Sequence, residues 1–230
     1  MNQIVTRAIV LSRTNYGEAD RILTVLTPDQ GKLRLMARGV RKNKSKLAGG
    51  IELFSVSDIT FIRGKADIGT LVSARLDVHY GEIVKHIERT MLGYDVMKQI
   101  HRATEDDTEE AYFTILQHAL EALNDPLISE QLIRAWSMAQ LVKLAGHSPN
   151  LQTDIDGKKL AVNNRYLFSF DDMAFAEHER GNFDATRIKF LRLLFSTNPP
   201  AVLANVQQAH QLAGHCMPLV QSIMREYIRI

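Results

Sequence analysis

Seven Lys or Arg side chains lie between Asp29 and Glu52 with no carboxylate among them: Lys32, Arg34, Arg38, Arg41, Lys42, Lys44 and Lys46. Five of these occupy the nine residues from Arg38 to Lys46, inside the stretch ARGVRKNKSKLAGG, which closes on a glycine pair. A cluster of this kind can follow a phosphate backbone, because binding releases condensed counterions and demands no exact geometry. A mobile, glycine-flanked loop is expected to help. Residues 1–80 hold 13 basic and 7 acidic side chains, a balance of +6, while the rest of the 230-residue chain holds 15 and 19, a balance of −4. The modest overall charge of +2 therefore conceals a cationic first third. Arg63 and Arg75 are further candidate phosphate contacts. Tyr16, Phe61 and Tyr80 are the aromatics of this segment that could stack on bases.

Other chemistries find little support. The chain has no GxSxG, HExxH, GxGxxG or GxxxxGK[ST] motif, and KNKSK lacks the glycines whose amides would cradle a phosphate. Asp154-Ile155-Asp156-Gly157 opens like a calcium loop, but Arg165 stands where the carboxylate of loop position 12 is required, so a turn is expected. His210 and His215 are five residues apart, a poor spacing for ligands on one helix face, and read as surface or capping residues. Cys216, the lone cysteine, can form neither an internal disulfide nor a four-thiolate zinc site and reads as a small buried residue. No catalytic residue, metal or cofactor is expected. A nuclease built on Asp154, Asp156, Asp171 and Asp172 is the remaining enzymatic alternative.

The elements that must position the cations are short strands. IVTRAIVL (4–11), RILTVLT (21–27), KLRLMAR (32–38), LFSVSDITFI (53–62) and TLVSARLDVHY (70–80) are rich in β-branched and apolar residues and are divided by turn chemistry. Five strands without a long helix imply a small barrel. In 32–38, Leu33, Leu35 and Ala37 point to one face and Lys32, Arg34, Met36 and Arg38 to the other, giving a core face and a cationic one. After Gly81 the apolar spacing becomes helical over 83–103, 108–124, 129–146 and 183–195, again after Asn198-Pro199-Pro200, and through 217–228, with Ser129 as an N-cap and Gly146 as a stop. The rhythm breaks over 147–182, where KKLAV, the pair Asn163-Asn164 and RYLFSF suggest a β-hairpin.

An α+β chain is thus expected, with a barrel over 1–80 and a mostly helical domain over 81–230 that carries the hairpin insert at about 147–182. A 45% hydrophobic and 23% charged composition fits a folded rather than a disordered chain. No apolar run approaches the roughly 18 residues of a spanning helix, so a cytoplasmic protein is expected.

Read in order, the N-terminal residues resemble the RecO family of bacterial recombination mediators. The likeness is carried by Ile9-Val10-Leu11, Tyr16-Gly17-Glu18, Asp20-Arg21-Ile22-Leu23, Leu26-Thr27, Gly31, Ala37-Arg38-Gly39, Ser45 and Glu52-Leu53-Phe54. The resemblance implies an OB-fold barrel followed by a helical domain, and a protein without nucleotide hydrolysis that binds and anneals single-stranded DNA during repair. It also implies two partners, RecR and the acidic C-terminal tail of the single-strand binding protein. For that tail the resemblance points to the helix IRAWSMAQLVKLAG, where Arg134, Leu141 and Lys143 would form an apolar pocket with a cationic rim, Trp136 being core. Many members carry zinc-binding cysteines in the insert. Here LQTDIDGKKLAVNNRYLFSF has none, so the hairpin is expected to replace the metal. The competing reading is a protein-recruiting scaffold whose basic barrel holds an acidic partner in place of DNA.

Overall fold

A computed structural model of the chain describes residues 2–64, 67–104 and 109–228. Lys65 and Ala66 of the RGKADIG turn, and the EDDT separator at 105–108, lie outside the described residues. Two compact units are present, Met1–Asp125 and Pro126–Ile230.

The first unit opens with the five expected strands: β1 (Gln3–Tyr16), β2 (Asp20–Leu26), β3 (Lys32–Ala37), β4 (Ser55–Ile62) and β5 (Ile68–His79). They close into a barrel in the order β1-β2-β3-β5-β4. Every pairing is antiparallel except β3 with β5, which run parallel from Arg34↔Ile68 to Met36↔Thr70. This is the OB-fold topology. The 14-residue β1 serves two neighbours, pairing β4 through Gln3–Ile9 and β2 from Ile9 to Tyr16. A register shift between Val10 and Ser12 bends it at the changeover. Alternating residues of the strands fill the interior, among them Val10, Leu23, Val25, Leu35, Ala37, Ile59, Phe61 and Leu71.

The segment between β3 and β4 departs from the expected mobile loop. Val40 and Ile51 are buried in the same core, and Leu47 and Ala48 pack against it. Apolar residues thus root the basic stretch at both ends. Its closing turn, Ala48–Gly50, lies on β5, where a Cβ on Gly50 would come within 2.5 Å of the Ala74 carbonyl. No larger residue fits there.

Two helices, α1 (Ile87–Ala103) and α2 (Glu110–Asn124), complete this unit. Residue 80/81, the expected domain boundary, is where strands give way to helices, while the compact unit continues to Asp125. The opening turn Ile83–Lys85 is 3₁₀ and separate from α1, whereas the helical spacing from residue 83 suggested one continuous helix.

In the second unit α3 (Glu130–Leu144) starts at Ser129, whose Oγ accepts the Leu132 N–H at 3.2 Å, and stops before Gly146, which has φ +81°. The insert holds a hairpin, but not the expected one. Its strands are β6 (Tyr166–Ser169) and β7 (Ala174–Glu177), joined by Phe170–Met173, so Asn163-Asn164 precede the hairpin and KKLAV forms neither strand. Tyr166, Phe168, Phe175 and Phe183 meet there edge-on or tilted, with centroids 5.2–6.3 Å apart. Asp154 makes the turn read from the sequence, its Oδ1 accepting the N–H groups of Asp156 and Lys158 at 3.0 and 2.8 Å. The unit ends with α4 (Ala185–Leu194), the short α5 (Pro200–Leu203) and α6 (Ala209–Tyr227). Helix α6 begins eight residues before the expected start at 217, because it runs through Pro218. Cys216 is fully buried on α6, its Sγ donating to Arg187 O at 3.6 Å, and burial pushes its thiol pKa up to about 12.

Candidate nucleic-acid interface

The cations that looked equivalent in the sequence have different surroundings. Ala37 pairs with Arg21, so the chain leaves β3 beside the β1–β2 turn. Arg38, Arg41, Lys42, Lys44 and Lys46 follow as exposed residues on a series of turns, with Lys42 N–H donating to Gly39 O at 3.1 Å and Ser45 N–H to Lys42 O at 3.0 Å. Gly39 permits the reversal at the start, holding φ +64°. Arg34 is exposed on the outer face of β3, while Leu35 and Ala37 face the core, as the alternation required. Among the described residues no carboxylate pairs with Arg34, Arg38, Lys42, Lys44 or Lys46. Their charges are free to meet an anionic ligand.

Four of the expected contacts are engaged or distant. Lys32 Nζ donates to the carbonyls of His101, at 3.1 Å, and Thr104, at the C-terminal end of α1. An ammonium is stabilised there by the partial negative charge of the helix end, so Lys32 serves the fold. Arg41 sends its guanidinium to Gly17 O at 3.2 Å. Arg63 donates to Gln30 Oε1 at 2.7 Å, beside the β2–β3 turn and thus at the opposite end of β3 from Arg38. Arg75 pairs with Asp58 on the neighbouring strand at 2.7 Å, and that hydrogen bond raises its pKa further.

The aromatics also divide. Phe61 and Tyr80 are core residues, at 0% and 4% exposure, and cannot present a ring to a base. Tyr16 is 55% exposed at the end of β1, beside the turn to which Arg41 is bonded. The barrel therefore gathers one open ring, the cations of 38–46 and Arg34 along the β1–β2 turn and the β2–β3 face. OB-folds bind oligonucleotides on these same two regions.

The expected peptide pocket on α3 does not form. Leu141 is 2% exposed and packed in the core, and Arg134 and Lys143, nine residues apart, project to opposite sides of the helix. Trp136 is core as expected, its Nε1 donating to Asn198 O at 2.8 Å. A cleft of about 370 Å³ lies instead between α4 and the start of α6, lined by Phe190, Leu193, Val206 and Leu212 together with Thr186, Lys189, Gln207 and Gln208. The spacing of Lys189, Phe190 and Leu193 on one amphipathic helix was the available signal for it. No described helix is long and apolar enough to cross a membrane.

Comparison with known proteins bears on the barrel first. Residues 1–77 match the family model described as Recombination protein O N terminal. Relatives named DNA repair protein RecO include one from Dehalococcoides mccartyi, 34% identical over 164 residues, and one from Roseiflexus sp., 35% identical over 147 residues. A third, from Desulfatibacillum aliphaticivorans, is 30% identical over 154 residues. These alignments take in 70%, 64% and 66% of this chain, and it spans 64%, 51% and 60% of the respective relatives. An OB-fold thus stands where the Recombination protein O model matches, and the likeness to relatives named DNA repair protein RecO extends through the barrel and beyond it.

Proposed function

We propose that the chain binds single-stranded DNA irrespective of sequence and anneals complementary strands, acting without catalysis as a recombination mediator in DNA repair. One observation carries this reading: a crest of exposed cations, none ion-paired with a carboxylate among the described residues, held on an OB-fold beside an open tyrosine. Annealing needs two backbones held close with their repulsion screened and their bases left free to pair. A cationic crest does this better than a base-reading pocket. The phosphate contacts are Arg34, Arg38, Lys42, Lys44 and Lys46, with Tyr16 stacking on a base.

In this role the protein works at the nucleoid with RecR and the single-strand binding protein. The acidic tail of the latter is better served by this cleft than by α3, since an apolar end residue needs open apolar side chains such as Leu193, Val206 and Leu212, and its carboxylate a nearby cation such as Lys189.

The decisive experiment neutralises Arg38, Lys42, Lys44 and Lys46 together and follows oligonucleotide affinity against salt. Binding should weaken equally for all sequences, and the slope should flatten by about 0.7 log units for each phosphate that is no longer neutralised. An unchanged slope would remove the crest from the interface. The acidic-partner scaffold gains some support from the burial of Phe61 and Tyr80, which leaves the barrel a single open ring. Affinities for a bare oligonucleotide and an acidic peptide, measured at matched salt, separate the two readings.

A further inference from the structure

The basic segment is tied to the β1–β2 hairpin at both of its roots. On the outgoing side Asp20 Oδ1 accepts the Gly39 N–H at 2.7 Å, Ala19 O accepts the Arg41 N–H at 2.9 Å, and Gly17 O accepts the Arg41 guanidinium at 3.2 Å. On the returning side the Arg13 guanidinium donates to Ile51 O at 3.4 Å and to the Glu52 carboxylate at 3.2 Å. Asp20 is the anomaly in this arrangement. A carboxylate at the foot of a cationic crest repels the phosphates that the crest attracts, so electrostatics alone disfavours it there. Its hydrogen bond supplies a reason for it: an ionised acceptor on a backbone N–H is stronger than a neutral one and fixes the direction in which the chain leaves β3.

We infer that Asp20 is a positioning residue for the crest, with Arg41 as its companion. Together they hold Arg38, Lys42, Lys44 and Lys46 in one orientation before any ligand arrives, which lowers the ordering cost of binding. Arg41 then belongs to the clasp and not to the phosphate contacts. The inference rests on the single-strand DNA reading above.

Opposite signs make it testable. If Asp20 acted only through its charge, Asp20→Ala would tighten binding. As a clasp, Asp20→Ala weakens oligothymidine binding by about tenfold, the scale of one charged hydrogen bond. Asp20→Asn removes the same charge but keeps a neutral acceptor oxygen, so it binds more tightly than Asp20→Ala. Hydrogen exchange supplies a readout free of DNA: the Gly39 amide is protected in the parent and in Asp20→Asn and exchanges faster in Asp20→Ala, while the strand amides stay protected in all three. Tight binding by Asp20→Ala overturns the inference, as does binding by a folded Asp20→Asn no tighter than that of Asp20→Ala. Failure of the parent protein to bind oligothymidine overturns the DNA reading. The clasp then stands or falls by Gly39 exchange, with equal rates in parent and Asp20→Ala counting against it.

Discussion

Tyr16 ends β1 with its ring half in solvent, beside a turn whose carbonyls are already bonded to Arg41. Replacing it with Ala removes stacking but no charge. Oligonucleotide affinity should then fall about fivefold or more, on a stacking scale of roughly 1–3 kcal/mol per base, with the salt slope unchanged. A changed slope would mean that the substitution disturbs the crest itself. At this scale the sequence was legible in kind but not in partner. The density of Lys and Arg was visible, and so were the candidate rings. That Lys32 caps α1 was not, because its acceptors His101 and Thr104 lie 69 and 72 residues away. Nor could composition separate Tyr16 from Phe61 and Tyr80, since exposure is decided by which way each strand faces once the barrel closes.

Elements were read more securely than residues. Runs of β-branched and apolar residues between turns located all five barrel strands, and period-three-and-four spacing located most helices, because such runs fit a pleated surface and such spacing buries one helix face. Two misses have local causes. The helix read over 217–228 starts at Ala209 and passes through Pro218; the paired asparagines seemed a hairpin turn, yet the turn is Phe170–Met173 with Met173 at φ +49°. The hairpin's cohesion comes from Tyr166, Phe168, Phe175 and Phe183 packing together, in the place where the family resemblance implies a metal in other members. Phe175→Ala should therefore cost about 3–5 kcal/mol in denaturant unfolding, as for other buried aromatic truncations. A chelator should leave the unfolding midpoint of the parent protein where it was. A midpoint lowered by chelation, or untouched by Phe175→Ala, would count against aromatic packing as the insert's support.

At the scale of the whole molecule, charge is divided differently from structure. The compact unit Met1–Asp125 carries 17 basic and 17 acidic residues in the sequence and is neutral overall, although its first 80 residues are strongly cationic. The attraction for DNA is therefore short-ranged, confined to the crest and readily screened, as the Debye length is about 10 Å at 0.1 M salt. Neutralising five phosphates of a single strand implies that affinity falls about a hundredfold between 50 and 200 mM salt. A salt response much shallower than this would mean that fewer than all of Arg34, Arg38, Lys42, Lys44 and Lys46 reach the backbone. Cys216 offers a different kind of consequence. Buried on α6 with its thiol pKa pushed up to about 12, it is shielded from reagents as long as the fold persists. A cysteine placed at Lys44 would be the one reactive thiol on the folded chain, so a dye could be attached to the crest with the native cysteine left in place. Modification of Cys216 itself would then serve as a clock for opening of the second unit.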